Sequence, residues 1–410
     1  MSQIVGQTMQ LPLQRYLDHI EIRSVNNCPS YVAECEGIVD PVLLARAIDL
    51  LCVQHPVLLG RIRPDQDGHL LSADPSRRLK LVVREGGKQE LLEEIHRPWD
   101  SRYQVAQPIL VRGVRSSFVA IRLDHAIADG SFRMGLFTDL WGLYSKLTAG
   151  SEPQVEPGTT LPLSPVAVLE ERLPDKDFPP PTEQSKPPVF RHRLLEKRVR
   201  LDTAPSQRLV AAAKAQGTSV HALICGAIMV AHRDLWPRPG EIPMMCWAPV
   251  NIRTRATPPV GATETTNLTL IHEAVLSIRR HADPITVGRE IKTLLNREIE
   301  SGQLPTGPPT WVPSDLAEHF STVLISNYGV VSRFTQPPGA RIVDFETLSH
   351  PMIGRYPSYP VYTYEGQLTI LARYQQEFYS DELADALLAR IAGQLRDLGD
   401  AVTGVEGARR

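Results

Sequence analysis

Phe118–Gly130 reads FVAIRLDHAIADG, and the interpretation of the whole chain starts there. An apolar run with strand character ends at Leu123. A histidine follows where the run stops, and Asp129-Gly130 closes a short turn before a long amphipathic helix, roughly Phe132 to Leu147, ended by Ala149-Gly150. A strand end fixes a side chain while the following loop exposes it, which is where catalytic groups are best placed. Histidine has an ordinary pKa near working pH and suits a general base. A packed, hydrogen-bonded histidine at a strand end is the competing reading, and His125 alone does not decide between them. His19, His55, His69, His96 and His319 have no comparable context, and His221 and His232 fall on predicted helices. None of these histidines has a metal-ligand spacing to a neighbour.

Moving outward, Tyr31–Glu36 reads as a strand. Asp40 caps a helix, PVLLARAIDLLCVQ, with Leu43, Ala47, Leu50 and Leu51 on one face. Leu79–Arg84 is a further strand, KQELLEEIHR a short polar helix, and Pro108–Val114 with Phe118–Leu123 a strand pair. Residues 151–190 change character: SEPQVEPG, LPLSP and LPDKDFPPPTEQSKPP are rich in proline, which fixes φ and removes a donor. We expect an exposed linker at 161–190 between a first half, 1–160, and a second half, 191–410. The second half restarts a mixed pattern. Predicted strands are Leu195–Leu201, Met245–Ile252, Leu268–Leu276, Val323–Ser326, Arg341–Glu346, Val361–Tyr364 and Leu368–Tyr374. Predicted helices are Thr203–Ala215, Val220–His232, Pro284–Ser301 and Asp381–Leu398, and Glu365-Gly366 is a tight hairpin turn.

Bulk properties narrow the function. The 410 residues favour two α/β domains, and 44 basic against 46 acidic residues leave a net charge of −2 with no basic block. Nucleic acid is therefore not an expected partner. No apolar stretch approaches the roughly 18–20 residues of a membrane-spanning helix, and the N-terminus lacks a signal-peptide pattern. Cys28, Cys35, Cys52, Cys225 and Cys246 are odd in number and free of CxxC spacing, so reduced thiols in a cytoplasmic protein are expected. GxGxxG, Walker and GxSxG patterns are absent, so no bound cofactor is expected.

DHAIADG at Asp124–Gly130 resembles the HHxxxDG motif of condensation domains and polyketide-associated acyltransferases, and the shorter HxxxDG of plant acyltransferases and chloramphenicol acetyltransferase. The resemblance extends in family order through PVNIR (Pro249–Arg253), GATETTNLT (Gly261–Thr269), SNYG (Ser326–Gly329) and EGQLTILARY (Glu365–Tyr374). It implies an α/β fold of two chloramphenicol-acetyltransferase-like domains, a pseudo-dimer with a central cleft or tunnel. It also implies an acyltransferase in which His125 is the general base and Asp129 points away from the reaction to pair with Arg253, tying the motif loop to the second half. Gly130 would let substrate approach and offer an N–H to the oxyanion. Ser326 or Asn327 would be a polar group on the opposite wall, with Tyr328 beside them. Read without the resemblance, Asp129 is equally an N-cap and Asn327 equally a turn residue. The sequence departs from the motif at Asp124, which stands where the family has its first histidine. Strand alternation points Asp124 away from His125, into structural contacts. The implied donor is a thioester, on coenzyme A or on the phosphopantetheine arm of an acyl carrier protein. The implied acceptor is a small molecule, and a monomer is expected. An amide-forming condensation enzyme and a catalytically silent recruitment domain of the same fold are the alternatives.

Overall fold

The computed structural model describes residues 13–179, 194–306, 321–348 and 356–407. In chain order its elements begin β1 Leu13–Tyr16, α1 His19–Ile22, β2 Ser30–Gly37, α2 Pro41–Gln54, β3 Gly60–Asp65, β4 Gly68–Ala73, β5 Val82–Glu85 and α3 Lys88–Ile95. Next come β6 Ala106–Arg112, β7 Ser116–Leu123, α4 Gly130–Thr148, α5 Pro165–Arg172, β8 Leu194–Leu201, α6 Thr203–Ala215, α7 Val220–Leu235 and β9 Ile242–Asn251. The chain closes with β10 Thr269–Ile278, α8 Pro284–Ser301, β11 Thr322–Val331, β12 Ala340–Leu348, β13 Ser358–Tyr364, β14 Gln367–Gln375 and α9 Asp381–Gly407.

These elements form two compact units, and the chain does not divide between them at one point. The first unit takes Met1–Leu173, then Arg253–Leu268 and Phe334–His350. The second takes Pro174–Ile252, Thr269–Arg333 and Pro351–Arg410. The switch at Leu173/Pro174 falls inside the proline-rich stretch, but two segments of the sequence-distal half belong to the first unit. Strand β12 is one of them. It pairs antiparallel with β2 from Ala340↔Gly37 to Leu348↔Ser30, closing the edge of a sheet ordered β12-β2-β7-β6-β5.

In the first unit β7 is buried along all but its first residue, because both faces of its sheet are covered. Leu91 and Ile95 of α3 pack on one face against Val32, Ile109, Val111, Phe118 and Ala120. On the other side an aromatic group forms: Tyr31 and Phe345 meet edge to face at 5.2 Å, and Phe137 and Phe334 at 5.3 Å. Helix α2 starts where Asp40 accepts from the backbone N–H of Val42 and Leu43. Its buried face is Leu44, Ala47, Ile48, Leu50 and Leu51, so the apolar stripe is displaced by one position from Leu43, which is half-buried. A three-stranded sheet, β1-β4-β3, was not evident from hydrophobic pattern. The strand expected at Leu79–Arg84 forms only from Val82. Within the expected linker, Ser164 caps α5 and Pro165 occupies its first turn, where a missing N–H does no harm.

The second unit holds a six-stranded sheet, β10-β9-β11-β13-β14-β8, in which β11 runs parallel to both neighbours. The β13–β14 turn uses Glu365 and Gly366 at φ 46° and 80°, the left-handed pair a two-residue hairpin needs. Helices α7 and α8 cross with almost no space between their backbones. A Cβ on Gly226 would lie 2.0 Å from the Pro284 carbonyl oxygen, and one on Gly288 would lie 2.1 Å from that of Ala222. Only glycine fits at either point. No helix among the described residues is long and apolar enough to cross a membrane.

Candidate active site

The loop after β7 is held by its backbone. Asp124 N–H donates to the Val105 carbonyl at 2.8 Å, and His125 N–H donates to that of Asn27 at 2.6 Å. The Asp124 side chain is fully buried and accepts from four donors. Asn26 N–H (2.9 Å), Trp99 Nε1–H (3.2 Å) and Ser101 Oγ–H converge on Oδ2, and Ala126 N–H (2.9 Å) reaches Oδ1. Burial nonetheless outweighs these bonds and pushes the carboxyl up to about 6. Its partners belong to the loops supporting β7.

His125 is partly exposed, while its Nδ1 is buried with no hydrogen-bond partner among the described residues. Nε2 is not among the enclosed atoms. Burial is the main reason the imidazole is held down to about 3; the Arg133 guanidinium adds to it and Arg23 contributes further, against an opposing pull from Asp129. The ring is therefore neutral at working pH, the form a base requires.

Arg133 escaped the sequence reading. It lies in the first turn of α4 and is 3% exposed. Its Nη1 donates to the Ala128 carbonyl at 2.9 Å and its guanidinium covers the Tyr31 ring at 5.4 Å. Tyr31 in turn donates its hydroxyl to the Gly130 carbonyl at 2.9 Å.

Asp129 fills both roles that its sequence context offered. It is the N-cap of α4, accepting from Phe132 N–H at 2.9 Å through Oδ1. Through Oδ2 it pairs with Arg253 Nη1 and accepts from Leu268 N–H at 2.9 Å. Burial alone would raise its pKa, but the Arg253 charge and these bonds bring it below the usual carboxylate range. Arg253 also donates through Nη2 to the Thr265 carbonyl at 3.0 Å. The expectation that this pair ties the motif loop to another domain needs correction. Arg253–Leu268 is part of the first unit, so the pair is internal to it. Within the first unit, Thr266 accepts from Asp129 N–H at 2.8 Å, so the segment ending at Leu268 lies against the loop. Gly130 opens α4, so its N–H is one of those without an intrahelical partner.

Ser326, Asn327 and Tyr328 are carried by the second unit on β11 and are half-buried. The pairing of β11 with β13 shifts register between Asn327 and Val330. At this bulge Asn327 Oδ1 accepts from Gly329 N–H at 2.8 Å, a turn role, and Nδ2 lies 3.4 Å from His221 Nδ1. Among the described residues no cluster of three His, Cys, Asp or Glu side chains is arranged for a metal ion.

Residues 191–373 match the family model described as phthiocerol/phthiodiolone dimycocerosyl transferase C-terminus. A phthiocerol/phthiodiolone dimycocerosyl transferase from Mycobacterium ulcerans is 25% identical over 78% of this chain and 81% of its own length. One from Mycobacterium tuberculosis is 25% identical over 83% and 87%. The structure of polyketide synthase associated protein 5 from Mycobacterium tuberculosis superposes with a TM-score of 0.74 at 21% identity, over 94% of this chain and 98% of that one. Trichothecene 15-O-acetyltransferase from Fusarium sporotrichioides gives 0.73 at 12% identity, over 97% of each chain. The first condensation domain of the calcium-dependent antibiotic synthetase gives 0.68 at 14%, over 94% and 96%. The chain is an acyltransferase of the condensation-domain fold. In this acyltransferase the histidine loop is thus fixed by a buried acid on each side, Asp124 through hydrogen bonds and Asp129 through Arg253.

Proposed function

We propose that the protein moves an acyl group from a thioester to a hydroxyl of a lipid or natural-product acceptor, with His125 as general base. The observation that carries the reading is a neutral imidazole on a rigidly held loop, its Nδ1 enclosed and its Nε2 not. Nε2 takes the proton of the acceptor hydroxyl as its oxygen attacks the thioester carbonyl carbon. The tetrahedral oxyanion collapses, the C–S bond breaks, and the imidazolium returns the proton to the departing thiolate, giving ester and free thiol. The Gly130 N–H at the start of α4 and the Arg133 charge favour the negative charge that develops. Asp124 and Asp129 hold the loop and take no proton. Asn327, with Ser326 and Tyr328, is a candidate polar contact for substrate. The names of the curated relatives, which describe acyl transfer involving phthiocerol and phthiodiolone, support an oxygen acceptor over an amine. A cytoplasmic monomer that binds no cofactor belongs to the same reading. Its donor, acyl-coenzyme A or an acylated carrier protein, enters as substrate.

The test is purified protein with acyl-coenzyme A or acyl carrier protein and a panel of alcohols and amines, analysed by mass spectrometry. Ester product from wild type, reduced by about 10²–10⁴-fold in His125→Ala with an unchanged melting curve, is the expected result. Amide product alone overturns the acceptor assignment, and full activity in His125→Ala overturns the base.

A further inference from the structure

Two adjoining concavities in the first unit are lined by arginine. One, of about 380 Å³, has Arg46, Arg77 and Arg78 with Asp49; the other, of about 270 Å³, has Arg61, Arg63 and Arg77 with Asp74. They meet at Arg77. The β3–β4 register explains the second: Arg61 faces Ser72 and Arg63 faces Leu70, so both arginines stand on one face of the hairpin while Ile62 and Leu71 are buried beneath. Arg46 is paired with Glu152 at 2.7 Å. Among the described residues no carboxylate forms an ion pair with Arg61, Arg63, Arg77 or Arg78.

Three observations make this more than a solvated basic surface. Arg77 is tethered, donating to the carbonyls of Leu59 (3.2 Å) and Tyr103 (3.4 Å), so its guanidinium is positioned instead of trailing into water. Arg61 Nε is buried with no hydrogen-bond partner among the described residues, a donor left unsatisfied there. Burial, and then the charges of Arg61 and Arg63, also lower the Arg77 pKa against an opposing pull from Asp74, so these guanidinium groups repel one another at rest. Asp74 is already engaged by Ser76 N–H (2.9 Å) and Oγ–H (2.6 Å). A fold of net charge −2 that gathers Arg61, Arg63, Arg77 and Arg78 around two concavities sharing Arg77, with no carboxylate ion pair to any of them among the described residues, is built to receive an anion. Guanidinium forks match phosphate oxygens. The larger concavity adds an apolar wall of Leu50, Pro56, Leu59, Pro75 and Pro157. Gly158 lets that wall close on α2, since a Cβ there would lie 2.5 Å from the Gln54 carbonyl oxygen.

We infer that this groove is a binding site for an organic phosphate, a diphosphate or phosphomonoester held by Arg61, Arg63 and Arg77 with its carbon body against the proline-lined wall. The site uses none of the residues assigned to acyl transfer, and its test requires no turnover, so failure of one reading leaves the other standing.

Isothermal titration of the full chain with ADP, pyrophosphate and adenosine tests it, with wild type beside Arg63→Gln and Arg77→Gln. Arg63 is exposed, so Arg63→Gln keeps the measurement meaningful even where Arg77→Gln fails to fold; melting curves report which has happened. Wild type should bind ADP more tightly than pyrophosphate and adenosine least of all. Arg63→Gln should bind ADP roughly tenfold more weakly or worse, and raised salt should weaken the wild-type complex. No ADP binding by wild type, or unchanged ADP binding in a folded Arg63→Gln, overturns the site. Pyrophosphate binding as tightly as ADP overturns the organic occupant.

Discussion

Asp124→Asn keeps the shape of a buried side chain and removes its charge. Three donors meet on Oδ2 and one on Oδ1. In the variant the amide oxygen takes the place of Oδ2, which leaves Nδ2–H facing Ala126 N–H, donor against donor. One lost bond and one unsatisfied buried group cost about 1–3 kcal/mol. Against this, the variant no longer buries a carboxylate whose rise from 3.8 to about 6 reflects a penalty of about 3 kcal/mol at pH 7, so the two effects largely cancel there. The pH dependence is the sharper signature. The folded carboxyl titrates at about 6, above its ordinary 3.8. Its stabilising contribution is therefore complete at low pH and is lost as pH rises through 6. From pH 7 to pH 5 wild type gains about 1 kcal/mol from this group and the variant gains nothing. Other titrations are common to both proteins and cancel. The gap in apparent stability should widen by about that amount, roughly 2–4 °C in melting temperature for a unit of this size. Melts of both proteins at pH 5, 6 and 7 measure it, and a gap independent of pH refutes the reasoning. In kcat/KM profiles the acidic limb should stay in place; a downward displacement by a full pH unit in the variant would mean that Asp124 tunes the base.

Asp129→Ala and Arg253→Ala should each destabilise by about 3–5 kcal/mol, because each strands a buried charge, and the double variant should lie near the worse single; additive losses in denaturant unfolding would contradict the contact. Arg133→Met removes the cation nearest in effect to His125 after burial itself, so the base should titrate higher and the acidic limb of kcat/KM should move up; an unmoved limb would show that Arg133 has no hold on the ring. Gly226→Ala forces a methyl group onto the Pro284 carbonyl and should cost more than the roughly 1–3 kcal/mol of ordinary overpacking; a melting temperature equal to wild type would contradict the α7–α8 crossing.

Local chemistry made much of this legible in sequence. Asp40 before an apolar-periodic run, Glu365-Gly366 between strands and Pro284 at a helix start each carry their own physical instruction, and the corresponding elements form within a residue or two. The β3–β4 hairpin was hidden because its inward residues are few, mainly Ile62, Leu71 and the small Ala73, set between arginines and beside Pro64. Arg133 was hidden because an arginine on an amphipathic helix ordinarily faces water; it is buried here because Tyr31, a hundred residues earlier, supplies a ring to cover it. At the candidate site His125, Asp129 and Arg253 were readable from the motif resemblance, whereas the four donors around Asp124 come from loops without pattern. Least legible was the membership of β12 and Arg253–Leu268 in the first unit, since no periodicity records a partner more than a hundred residues away.

That membership has a consequence for how the chain is made. When Leu173 leaves the ribosome the first unit still lacks the arginine that neutralises Asp129 and the strand that covers β2. Arg253 is made about 80 residues later, and β12 is complete only at Leu348, about 175 residues later, a delay of roughly 10–35 s at ordinary elongation rates. Throughout it β2 offers an open edge to any extended chain nearby, and until Arg253 emerges the Asp129 carboxylate lacks its cation. A nascent chain stalled in that interval, or a fragment cut in the proline-rich stretch, is the form of this protein most exposed to aggregation and most dependent on a chaperone.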